Sequence, residues 1–132
     1  MPDQTGPYPH ELIASGKEGT IYVLNRDSMG EFCSTCTAGD TQIVQEIPQG
    51  TGKGRGTPVY WNNTLYFTGE ASPVQAYTIS SGGLVVPPFL SPSQLGGGGH
   101  AILTANGNSN GILWFINGGG FSLDNYALPD AS

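Results

Sequence analysis

Residues 50–56 read GTGKGRG, and a glycine-rich loop carrying Lys53 and Arg55 is the first place to look for a phosphate cradle. Such a cradle needs Gly, four residues, then Gly-Lys-Ser/Thr, because backbone N–H groups must wrap the phosphates ahead of a helix. Here Gly54 follows Gly52-Lys53, and Ile47 stands where the first glycine is required. The dinucleotide fingerprint G-x-G-x-x-G fails as well, with Thr57 or Val59 at its last glycine. Thr57–Trp61 also reads as a strand where a helix is needed. The spacing predicts instead a flexible connection, solvated by Lys53 and Arg55, that leads into a sheet.

The remaining reactive side chains are equally scattered. Cys33-Ser-Thr-Cys36 has the spacing of a redox pair, which works because the first thiol sits at a helix N-terminus that lowers its pKa. No helix follows, since Thr37-Ala38-Gly39-Asp40 is loop sequence, so a loop disulfide or a pair of free thiols is expected. Zinc would need two further ligands, and the two histidines, His10 and His100, have no local pairing. Asp27, Glu31, Asp40 and Glu46 fall on turns and an edge with no spacing that gathers three of them, whereas calcium takes about 6–8 oxygens. Ser15, Ser28 and Ser81 lack the G-x-S-x-G elbow of a nucleophile, and Ser81 reads as a turn residue. The sequon at Asn62 (Asn-Asn-Thr) lies in a hairpin turn and matters only in a secreted eukaryotic product.

Elements able to position such groups are almost all strands. No window of a dozen residues keeps helical apolar spacing without Gly or Pro interrupting it. Strands are expected at Glu11–Ser15, Thr20–Asn25, Thr41–Glu46, Thr57–Asn62, Thr64–Gly69, Val74–Ile79, Gly83–Val86, His100–Ala105, Gly111–Ile116 and Asp124–Leu128. Turn signals such as NRDSMG, WNNT, SSGG and NGNSNG separate them. Glycine (21) and proline (10) fill 31 of 132 positions, yet 37% of residues are apolar, which suits a turn-rich all-β domain. A net charge of −6 with only four Lys and Arg leaves no electrostatic footprint for nucleic acid. No apolar stretch approaches the roughly 20 residues of a membrane span, and MPDQTGPYPHELIAS lacks the basic start and apolar core of a signal peptide. The chain is therefore expected to be either cytosolic or a segment whose export signal lies elsewhere. An apolar run that begins only at Leu12 favours the segment.

The strands repeat. LIASGKEGTIYVLNRDSMG lies over LYFTGEASPVQAYTISSGG at a shift of 53, placing Gly16 on Gly69, Ile21 on Val74, Val23 on Ala76 and Gly30 on Gly83. A second overlay at a shift of 47 puts Asn63 on Asn110, Leu65 on Ile112 and Phe67 on Trp114. A self-similar β unit of about 50 residues has the length of a propeller blade, four strands each. One blade cannot bury both of its apolar faces alone, so it needs neighbours. TLYF and GILWF are near-continuous apolar runs, as strands covered on both sides require. A two-sheet sandwich of the same strands is the competing architecture.

ELIASGKEGTIYVLNRDSMGEF, TPVYWNNTLYFTGEASPVQAYTISSGGL and ANGNSNGILWFIN resemble the pyrroloquinoline-quinone-type repeat propellers, above all the bacterial secreted or periplasmic members with a quinoprotein alcohol-dehydrogenase-like fold. In that family a blade closes with Ala-x-Asp-x-x-Thr-Gly and a Trp; Ala76, Ser81 and Gly82 fit that frame, with Thr78 at the Asp position and Val86 at the Trp position. The resemblance implies an all-β partial propeller of about two to three four-stranded antiparallel blades. It forms a single domain over 1–132, with units at about 11–50, 57–99 and 100–132, located in the periplasm or outside the cell. The family's enzymes hold quinone and calcium inside a closed ring of eight blades, and several carry a disulfide of adjacent cysteines over the cofactor. Cys33 and Cys36 have two residues between them and do not match that device.

No cofactor residue maps onto any position and no cofactor is expected. The expected role is a non-catalytic scaffold or interaction surface whose partners are other blades, in a longer chain or a homo-oligomer. Pyrroloquinoline quinone and calcium enter only if the chain is a fragment of a dehydrogenase whose cofactor residues lie outside it. A third reading is a carbohydrate-binding module in which Tyr60, Trp61, Tyr66 and Trp114 stack on sugar rings; aromatics in blade strands more often pack between sheets. Blade-to-blade crossings lie near ligand-binding faces in ring propellers, so the Lys53–Arg55 loop and the GGGGH run ending at His100 are the expected partner loops.

Overall fold

Strand-forming β-branched and aromatic runs, punctuated by residues able to take positive φ, dictate a chain of hairpins. The computed structural model describes residues 1–30, 40–54, 56–95, 99–117 and 122–128. The fold is all-β, with a single 3-10 turn at Arg26–Ser28 among the described residues. A first antiparallel sheet joins β1 (Glu11–Ser15), β2 (Ile21–Asn25) and β3 (Ile43–Ile47) in that order. After the two-residue β4 (Lys53–Gly54), the second sheet runs β5 (Val59–Trp61), β6 (Thr64–Phe67), β8 (Ser72–Ser80) and β10 (Phe89–Leu95). Here β9 (Gly83–Leu84) adds to the end of β8, and β7 (Gly69–Glu70) pairs with β4. The third sheet is β11 (Ala101–Asn106), β12 (Ser109–Asn117) and β13 (Ser122–Ala127), again in sequence order. None of the three sheets closes on itself.

The hairpin tips follow from local chemistry. Asn62 and Asn63 turn the chain between β5 and β6 at φ +46° and +57°, and Ser81-Gly82 do so between β8 and β9 at +52° and +78°. Two successive positive φ values match the right-handed twist of the flanking strands. Asn63 Nδ2 also donates to the Ile79 carbonyl at 2.8 Å, tying the tip to β8.

Strand β10 is absent from the sequence expectation, because Pro92 interrupts FLSPSQL. It forms since it is the sheet's outer edge, paired among the described residues with β8 alone, and its ladder breaks between Leu90 and Gln94. Proline is tolerated at such edges and bulges. The expected strand to Val86 stops at Leu84, ahead of Pro87-Pro88, which have no N–H to donate.

Side-chain alternation decides what each sheet covers. Leu65, Phe67, Tyr77 and Ile79 pack with Ile21 and Val23 of the first sheet, and the Phe67 and Tyr77 rings meet edge to face at 5.7 Å. Trp61, Tyr66 and Val74 face the other way, against Leu113 and Phe115 of the third sheet. Strand β6 at the centre of this sheet is thus hidden on both faces, as its apolar TLYF run demands, whereas Tyr60 of β5 and Phe89 and Leu90 of the edge strand β10 are exposed. GILWF departs from that pattern: Leu113 and Phe115 are buried, while Ile116 on the opposite face is 61% exposed.

Strand pairing also tests the two overlays. Leu12 pairs with Leu24 and Leu65 with Tyr77, so the shift of 53 preserves both register and face. The shift of 47 does not. It lays Leu65, which looks toward the first sheet, on Ile112, which looks away from the second. The face-preserving overlay is 48, with Leu65 on Leu113, Tyr66 on Trp114 and Phe67 on Phe115; Leu113 pairs with Tyr126 as Leu65 does with Tyr77. The third sheet's hairpin turns earlier, at Gly107-Asn108, and its ladder is irregular between Thr104 and Asn106. A one-residue slip in strand register exchanges the two faces.

The glycine-rich stretch after β3 is not a loose, solvated connection. Thr51 is only 1% exposed; its N–H donates to the Gly19 carbonyl at 3.0 Å, and the Tyr77 hydroxyl donates to the Gly50 carbonyl at 2.7 Å. A Cβ at Gly69 would overlap the Thr51 carbonyl oxygen, and one at Gly19 the Gly52 carbonyl oxygen. A Gly69→Ala variant is therefore expected to lose about 3 kcal/mol or more of stability. Gly16→Ala, which meets nothing within 4 Å, should stay within about 0.5 kcal/mol of wild type. Urea unfolding midpoints measure both.

Candidate functional site

Two connections carry the chain from one sheet to the next, 48–58 and 96–100, and both were expected to offer partner loops. They meet. A Cβ at Gly56 would stand 2.7 Å from the Gly99 carbonyl oxygen, and Thr68 Oγ1 donates to that same oxygen at 2.6 Å. Lys53 pairs through its backbone with Glu70, so the β4–β7 ladder lies beside the junction. Lys53 and His100 are exposed there. Arg55 lies outside the described residues, as do Cys33, Cys36 and Glu31.

Among the described residues, reactive groups are not assembled around this junction. Among the described residues no three of His, Cys, Asp and Glu are grouped so as to hold a metal ion. Asp27 is engaged elsewhere: both of its carboxylate oxygens accept from His10 Nδ1, at 2.9 and 2.8 Å. The Arg26 N–H donates to the His10 carbonyl, so this pair pins the N-terminal segment to the turn after β2. Sequence reading missed the pair because 17 residues separate its members. Both side chains are solvated, and such a pair contributes about 0–1 kcal/mol.

Tyr60, Trp61, Tyr66 and Trp114, the aromatic residues of the carbohydrate-binding expectation, do not form one platform. Trp61 and Tyr66 are buried between the second and third sheets, and the Trp61 indole N–H donates to the Gly107 carbonyl at 3.0 Å. Tyr60 pairs with Leu65 on the opposite face of that sheet. Trp114 lies on the outward face of the third sheet, its indole N–H donating to Thr104 Oγ1 at 2.8 Å. Between the second and third sheets a cleft of about 130 Å³ is lined by Thr64, Tyr66, Thr78 and Tyr126, well below the 300–1,000 Å³ or so of small-molecule sites. A broader depression of about 300 Å³ opens beside Asn110, Gly111, Ile112 and Leu128.

One buried ionisable group escaped the sequence reading. Glu11, at the start of β1, is 1% exposed, and neither carboxylate oxygen has a hydrogen-bond partner. Burial pushes its pKa above the ordinary value of 4.5, an effect the Met1 ammonium group partly offsets. The folded protein therefore holds this proton more tightly than the unfolded chain does. Its stabilisation is complete below the unfolded carboxyl's pKa and is lost as pH rises through the folded one. Glu11→Gln is expected to be more stable than wild type at neutral pH, with the gap narrowing as pH falls toward 4.5. Thermal melts across that range check it, and a pH-independent gap would contradict it.

What distinguishes the molecule is the set of apolar sheet faces it presents. Ile102, Ile116 and Leu123 are 66%, 61% and 64% exposed. They share one face with Trp114 and Ile112, since Ile102 pairs with Trp114 and Ile116 with Leu123. No helix among the described residues is long and apolar enough to cross a membrane. No family model matches the chain, and no curated protein or solved structure matches it either.

Proposed function

We propose that this chain is a non-catalytic segment of a pyrroloquinoline-quinone-like β-propeller repeat protein, in which it serves as a scaffold and interaction surface. The observation that carries the reading is the direction of sheet packing. The second sheet sets its Leu65–Tyr77 face against the first, and the third sets its Leu113–Tyr126 face against the second. Repeated sheets packed in one sense are how blades hide surfaces that none could cover alone. Each sheet is also a simple antiparallel meander in chain order, which fits a blade and speaks against strands interleaved between two layers of a sandwich. The low charge content, 11%, supports a periplasmic or extracellular setting.

The scaffold reading has a direct test. Purified protein incubated with pyrroloquinoline quinone and calcium is expected to pass through gel filtration without retaining quinone absorbance and to show no dye-linked alcohol oxidation. Stoichiometric quinone retention with turnover would replace the scaffold by a piece of a quinoprotein dehydrogenase.

A further inference from the structure

Strand register gives each sheet two distinguishable faces. One, here called trailing, carries Leu12 and Leu24 in the first sheet, Leu65 and Tyr77 in the second, and Leu113 and Tyr126 in the third. The other, leading, carries Ile13 and Val23 in the first, Tyr66 and Ala76 in the second, and Trp114 and Asn125 in the third. Both contacts between sheets set a leading face on a trailing face. Among the described residues, one face of each kind is not covered by another sheet: the leading face of the third sheet and the trailing face of the first.

Both are apolar, and the third sheet's face is the more exposed of the two. The third sheet's leading face presents Ile102, Ile116 and Leu123 to solvent around a half-buried Trp114. The first sheet's trailing face offers Leu12, which is exposed, beside half-buried Leu24 and Tyr22. Exposed contiguous apolar surface marks an interaction site. Leading-on-trailing is a packing mode the molecule already uses twice, so the two free faces continue an interface that exists. Two leading faces meeting each other would be a packing that no pair of described sheets uses.

We infer that the leading face of the third sheet docks the trailing face of the first sheet in a second copy of this chain, head to tail. The inference rests on the blade reading proposed above and names the partner of its open face. Such a contact is heterologous, so copies add until a ring closes or a filament grows.

Sedimentation velocity of the full chain over a concentration series tests it, with Trp emission recorded in parallel. Association that increases with concentration is expected, together with a blue shift that Trp114→Phe removes. Ile116→Glu and Leu12→Glu each place a carboxylate on one of the two faces and should each weaken self-association roughly a hundredfold. Leu123→Glu is the second variant for the leading face, and circular dichroism verifies that all three keep the β fold. Mixed in equal amounts, Ile116→Glu and Leu12→Glu should form a one-to-one dimer and nothing larger, since each retains one sound face. Three outcomes overturn the proposal: a monomer at every concentration, association that the variants leave unchanged, or a Leu12→Glu protein that still dimerises with itself. Co-sedimentation of the monomer with anionic or zwitterionic vesicles would assign the face to lipid instead. None of these results bears on quinone retention, so this inference and the scaffold reading can fail separately.

Discussion

Strand β6, at the centre of the second sheet, carries apolar side chains on both faces that must be kept from water, and the rest of the molecule is arranged around that constraint. Leu65, Phe67, Tyr77 and Ile79 need one neighbour; Trp61, Tyr66 and Val74 need another. At about 25 cal/mol per Å² of apolar surface removed from water, a sheet covered twice is far more stable than one covered once. The first and third sheets supply that cover and in doing so fix their own distance and orientation. Polar clips reinforce the arrangement at the margins. The Gln45 side chain both donates to the Leu84 carbonyl and accepts from its N–H, bonding β3 to β9. Trp61 and Asn62 donate to the carbonyls of Gly107 and Asn108 at the tip of the next hairpin.

Much of this was legible in the chain. Strand existence followed from β-branched and aromatic runs between turn residues, and ten expected strands correspond to observed ones within a few residues. The shift of 53 was readable because Gly16 and Gly30 fall on Gly69 and Gly83, and Leu12 and Ile21 on Leu65 and Val74, within one nineteen-residue overlay. The shift of 47 failed because side-chain identity does not reveal where a hairpin turns. A ladder irregularity beside Asn106 displaced the tip, and no residue in NGNSNG announces which pair will occupy it. Strand β10 was lost to a different cause, since Pro92 is a breaker everywhere except on an edge, and edges are set by tertiary order.

At the candidate site the division is similar. The two crossing loops were identifiable from their glycines, but their contact through Gly56 and Gly99 is a consequence of sheet stacking. Glu11 carried no signal at all: a glutamate ahead of an apolar strand normally stays solvated, and only the fold above it removes the water. The apolar outward face of the third sheet was half legible. GILWF correctly announced a strand with two apolar sides, and the structure supplies a neighbour for one of them.

The threading of Thr51 between Gly19 and Gly69 reverses the usual meaning of a glycine-rich stretch. Composition of this kind ordinarily signals slack, the sort of place where homologous chains drift in length and where tags or domains are spliced in. Tolerance of added residues depends on how the local backbone is buried and bonded, and here three peptide groups are held by Gly19, Tyr77 and the close approach of Gly69. The segment has a fixed gauge. The turn at Gly16–Glu18, with open space around it, is where this chain has room to lengthen.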